Sequence, residues 1–85
     1  MKFTNKSGRT LVALEISDAA GNPVRTLHNI QPNETRETAL APNSYRLVAH
    51  TLNFAQLDVN ADSTVVLNAD EQLVISEEAG PRGKV

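Results

Sequence analysis

The two histidines, His28 and His50, are the side chains best able to move a proton or hold a metal near neutral pH. A metal centre needs about three or four converging ligands. The nearest carboxylates in the chain, Asp58 and Asp62, stand at no ligand-like spacing from either histidine. Ser44, His50 and Asp58 supply the parts of a nucleophile, a base and an orienting acid, but no nucleophile elbow or oxyanion-forming glycine loop accompanies them. The adjacent acids Glu77 and Glu78 lie in a polar stretch, where neighbouring carboxylates are solvated rather than tuned. The four glycines are scattered and make no phosphate cradle. The chain has no cysteine, which removes disulfides, thiolate metal centres and cysteine-based catalysis. The expectation is a protein with no catalytic residue, no metal and no cofactor.

Charge and length narrow the partner classes. The 85 residues carry 8 Lys and Arg against 10 Asp and Glu, a net charge of −2, with the two signs interspersed. No basic stripe is available to neutralise phosphates, and only Phe3, Tyr45 and Phe54 could stack on bases, so nucleic acid is not the expected partner. The longest apolar runs, such as Leu47-Val48-Ala49 and Val65-Val66-Leu67, are far shorter than a membrane span. The N-terminus enters a strand directly, without an apolar leader. That feature and the missing cysteines point to a reducing compartment, the cytoplasm.

The elements that must carry these residues are read from spacing. Apolar and polar residues alternate in short runs, and turn clusters interrupt them about every ten residues. Strands are predicted over 2–5, 10–18, 24–30, 35–40, 45–51, 54–60, 64–68 and 72–76. The turns carry the expected chemistry: Lys6-Ser7-Gly8, Ala20-Gly21-Asn22-Pro23, Gln31-Pro32-Asn33-Glu34 and Ala41-Pro42-Asn43-Ser44. The fold class is therefore all-β, a small antiparallel β-sandwich of seven or eight strands with an immunoglobulin-like or prealbumin-like architecture. One domain is expected over 1–76, and the Gly- and Pro-containing polar stretch 77–85 reads as a flexible tail. Val12, Leu14 and Ile16 are expected on the core face of the second strand. Tyr45, Leu47 and Ala49 should face inward on the fifth, and Ala55, Leu57 and Val59 share one face of the sixth.

The segment Phe3-Thr4-Asn5-Lys6-Ser7-Gly8-Arg9-Thr10-Leu11 resembles the opening of the von Hippel–Lindau tumour suppressor β domain: a strand, then Asn, a basic residue, Ser and, two positions on, Arg. The similarity continues through Leu14-Glu15-Ile16 into Gly21-Asn22-Pro23, resumes at Ile30-Gln31-Pro32 and Asn33 to Arg36, and extends more loosely to about residue 59. The resemblance implies a small β-sandwich that recognises a peptide. In the human family member the domain captures a hydroxylated proline within a ubiquitin ligase. The pocket of the family does not carry over. Glu15 stands at the position of a pocket tryptophan and Thr26 at that of a tyrosine. Ser44 and Arg46 fall near a histidine and a second tryptophan. Capture of hydroxyproline is therefore not expected, and the family's helical partner-binding domain has no counterpart here.

Asn5-Lys6-Ser7 and Asn33-Glu34-Thr35 match the glycosylation sequon, but the side chains of Asn5 and Ser7 are equally suited to shaping a turn by bonding nearby backbone. The parity of the strands leaves Leu11, Leu27 and Val48 opposite the better core residues, with His50 beside Val48. They make a partner-binding patch if the sheet order brings them together, and otherwise lie partly buried under loops. The functional expectation is a non-catalytic protein- or peptide-binding module that uses either an open sheet edge or this patch. The alternatives are a small-molecule or carbohydrate-binding accessory domain, or a small inhibitor or subunit that occludes a larger enzyme. Oligomeric state is left open.

Overall fold

The computed structural model describes residues 1–52 and 54–76. The tail expected over 77–85 lies outside the described residues. Eight strands follow in order: β1 (Lys2–Asn5), β2 (Leu11–Asp18), β3 (Pro23–Ile30), β4 (Thr35–Glu37), β5 (Ser44–Ala49), β6 (Ala55–Asn60), β7 (Thr64–Leu67) and β8 (Leu73–Ile75). Each matches a strand expected from spacing. The largest differences are at β4 and β5, which end three and two residues earlier than expected.

The strands form two four-stranded sheets, one ordered β4-β1-β7-β8 and the other β3-β2-β5-β6. Every pairing is antiparallel except β1 with β7, which is parallel. An immunoglobulin arrangement keeps its first two strands in one sheet. Here β1 and β2 belong to different sheets, so of the two expected architectures the prealbumin-like one remains.

Side chains from the two inner faces fill the core. Phe3 of β1 and Val65 and Leu67 of β7 meet Leu14 and Ile16 of β2 and Leu47 of β5, all fully buried. Each such side chain stabilises the fold by roughly 1.5–3 kcal/mol relative to exposure. Tyr45, Leu47 and Ala49 face inward as the alternation of β5 requires, and so do Ala55 and Val59 of β6. The Tyr45 hydroxyl donates to the Ala41 carbonyl at 2.6 Å, which satisfies the polar end of a buried ring.

At the start of β2 the expected core face is wrong. Val12 is 64% exposed, whereas Leu11 is buried. The neighbouring strand changes phase at the same place. Leu11 pairs with Ile30 and Ala13 with His28, but Asn29 between those partners sits at φ +53°. A left-handed residue breaks the two-residue period of β3 and turns Ile30 into the core, where it meets its partner Leu11, out of phase with Leu14 and Ile16. A second irregularity, between Ile16 and Ser17, shifts the register at the other end and places Pro23 opposite Ser17. Val24 is the extra residue there. Pro23 belongs to the strand rather than only to the turn expected over 20–23. It opens β3 on the sheet edge, where a missing N–H is tolerated.

Candidate protein-binding edge

The residues that carry the sequence resemblance build a joint. Asn5 ends β1 and is fully buried. Its Nδ2 donates to the carbonyls of Arg9 (2.7 Å) and Ile30 (2.9 Å), and its Oδ1 accepts from the N–H (3.0 Å) and hydroxyl (2.7 Å) of Ser7. Its backbone N–H donates to Glu34 O at 3.0 Å, and its carbonyl accepts from Asn33 N–H at 2.6 Å. One side chain thus ties the β1–β2 turn to the end of β3, and its backbone holds the β3–β4 turn. An amide used in this way is not available for glycosylation, so turn chemistry accounts for the first sequon. Arg9 reaches instead to Glu71, Nε to Oε2 at 3.3 Å. The Glu71 carboxylate is largely buried, sits at φ +65°, and accepts the Leu52 N–H at 3.1 Å. The carboxylate therefore joins the β1–β2, β5–β6 and β7–β8 loops at one end of the sandwich.

The four residues expected to form a patch do not come together on the surface. Leu11 is 2% exposed, and Leu27 is half-buried against the core. Val48 alternates with Leu47 and Ala49 and so takes the outer face of β5, opposite Glu15. His50 is exposed and pairs through Nε2 with Glu15 at 3.2 Å, with the Phe54 ring edge-on at 6.0 Å. Ser44, His50 and Asp58 are likewise not assembled into one site. Asp58 holds Arg46 (Oδ1 to Nε, 2.9 Å) and His50 holds Glu15, while Ser44 stands at the far end of β5, roughly 20 Å from His50 at the rise of a strand. Among the described residues, no group of three or more acidic or imidazole side chains is placed to hold a metal ion. No helix among them is long and apolar enough to cross a membrane.

What spacing did not single out is the free side of β3. β3 is the terminal strand of its sheet and one of its two longest. Its backbone orientation follows from two bonds. His50 N–H donates to Ala13 O at 3.1 Å, so the Ala13 backbone faces β5. Asp18 N–H donates to Asn22 O at 2.9 Å, so the Asp18 backbone faces β3. Backbone groups alternate sides along a strand. Leu14 and Ile16 therefore bond to their partners Leu27 and Arg25, and the N–H and C=O of Thr26 and His28 point away from the sheet. Asn29 would be the next residue bonded inward. Its left-handed conformation releases its carbonyl, which accepts Arg36 Nη2 at 3.1 Å. At the other end Arg25 reaches across the sandwich to the Thr38 hydroxyl. The open edge is thus a window from Arg25 to His28, closed by the Val24 irregularity on one side and by Asn29 on the other.

The other edges differ. β4 and β8 have three residues each. β6 packs beside β8 of the opposite sheet and carries the Arg46–Asp58 pair, in which the guanidinium holds the Asp58 carboxyl below its ordinary range. Of the three aromatic residues only Phe54 is exposed, since Phe3 and Tyr45 are buried.

Compared with known proteins, the chain matches no family model, no curated protein and no solved structure.

Proposed function

We propose that this protein is a non-catalytic recognition module that binds an extended protein segment by strand addition along β3. The observation that carries the reading is the outward-facing backbone of Thr26 and His28 on a long, mostly exposed edge strand. Natural sheets usually blunt such edges with lysine, proline or a bulge. On β3 such devices stand at the ends, Pro23, the Val24 irregularity and Arg25 on one side and the left-handed Asn29 on the other, and Thr26, Leu27 and His28 between them include no lysine, proline or bulge. Main-chain hydrogen bonds supply affinity in this mode, and pockets for alternate side chains supply selectivity. A chain without catalytic motifs is suited to it. The resemblance of residues 3–36 to a peptide-recognising β domain points the same way. The carbohydrate reading has less support, because two of the three aromatic rings are in the core.

The test is affinity capture from the native lysate with wild type and Thr26→Pro side by side. Thr26→Pro removes an outward donor and leaves the bonds to β2 in place. A stoichiometric partner captured by wild type and by Val48→Asp, lost with Thr26→Pro, and slowing amide exchange at Thr26 and His28 supports the reading. A partner retained by Thr26→Pro, with that variant folded by circular dichroism, overturns it.

A further inference from the structure

On the reading of β3 as an open recognition edge, we propose that in the free protein the strand it accepts is β3 of a second copy, paired antiparallel about a dyad at Leu27. The two ends of the window select the register. Only Thr26 and His28 turn their backbone groups outward between the Val24 irregularity and the left-handed Asn29. With the dyad at Leu27, Thr26 of each copy meets His28 of the other. Both outward residues of both copies are then used, giving four main-chain hydrogen bonds. A dyad at Thr26 places His28 against Val24, inside the irregularity. A dyad at His28 places Thr26 against Ile30, beyond Asn29, and apposes two histidines. A dyad at Arg25 apposes two guanidinium groups. In the Leu27 register Arg25 lies opposite Asn29, so no like charges face each other.

The side chains agree with the same register. Leu27 falls at a non-hydrogen-bonded pair, where opposing Cα atoms approach to about 4.5 Å and side chains are closest. Leu27 is half-buried against its own core, and Leu27 of the second copy covers what remains exposed. The result is one continuous eight-stranded sheet, in which an isologous contact closes both copies of the edge. A protein partner of the kind proposed above takes the same backbone groups, so it displaces the second copy.

Since the chain has no cysteine, single replacements report the register directly. Leu27→Cys is expected to form a disulfide-linked dimer under mild oxidation, because about 4.5 Å between Cα atoms lies within the range a disulfide spans. Thr26→Cys mixed with His28→Cys is expected to yield the mixed dimer, and neither variant alone should cross-link. These two positions are exposed, so this arm does not depend on tolerance of a change at Leu27. Wild type should sediment as a concentration-dependent dimer, and Thr26→Pro as a monomer. Wild type that stays monomeric, with no cross-link in either arm, overturns the self-pairing, as does a dimer that Thr26→Pro leaves unchanged. Absent cross-links together with partner capture that Thr26→Pro abolishes sink the self-pairing alone. Cross-links together with capture that Thr26→Pro does not affect sink the recognition reading alone.

Discussion

Asn5→Ala is expected to remove a large part of the stability of this domain. The substitution deletes four side-chain hydrogen bonds at a fully buried position. The bond to Ile30 O is buried, and leaving such an acceptor short of a donor costs about 1–3 kcal/mol. The bonds to Arg9 O and to the N–H and hydroxyl of Ser7 are part-buried, so water replaces some of them, at about 0.5–1.5 kcal/mol each. Allowing for non-additivity among bonds to one side chain, the loss is about 3 kcal/mol. A chain this small has on the order of 5 kcal/mol to lose, and the melting temperature should fall by roughly 12–24 °C. Urea unfolding of wild type, Asn5→Ala and Ser7→Ala measures it. Ser7→Ala leaves the two Nδ2 bonds intact and should lose about 1 kcal/mol. Asn5→Asp adds a sign test. It puts an oxygen where Nδ2 faces two carbonyls, so the new carboxyl is held protonated to a higher pH in the folded state than in the unfolded one. Stability of that variant relative to wild type at the same pH is then greatest below the unfolded value, about 3.9, and falls as pH rises through the raised folded value. An Asn5→Ala loss under about 1 kcal/mol, or an Asn5→Asp stability that rises with pH relative to wild type, would refute the account of this joint.

Three further outcomes follow from the same structure. Val12→Asp should change stability by less than about 0.5 kcal/mol and Leu11→Ala should cost about 2–5 kcal/mol in chemical denaturation, the reverse of what strand parity predicts. Glu71→Ala should cost about 0.5–1.5 kcal/mol, since it removes the part-buried bond to the Leu52 N–H, and should speed amide exchange at Leu52. Acid should destabilise the fold through carboxyls held low: Asp18 by the Asn22 N–H, Glu34 by the Arg36 side chain, and Asp58 by that of Arg46. Their folded values lie below the unfolded ones, so their contribution is complete above about pH 4–5 and is lost as pH falls through the depressed values. A melting curve followed downward from pH 6 should show this, and Asp18→Asn should flatten it.

The chain's own alternation determined the class of fold and all eight strands, because a two-residue period and turn residues are local properties. It also marked Tyr45, Leu47 and Ala49 as inward-facing, and it picked out Asn5 and Ser7 as turn builders. It placed Val12 and Leu11 on the wrong sides, because alternation assumes an unbroken two-residue period, and the paired strands β2 and β3 both change phase here, β3 at the left-handed Asn29. Spacing likewise grouped Leu11, Leu27 and Val48, although the sheets bury the first, press the second on the core and leave the third on an outer face. An open edge was among its expectations, but which strand supplies it was beyond its reach. Whether Thr26 and His28 bond to a neighbour depends on which strand ends up last in the sheet and which way its backbone turns. Pairing order is settled between residues far apart in the chain, and backbone donors and acceptors are the same for every residue but proline.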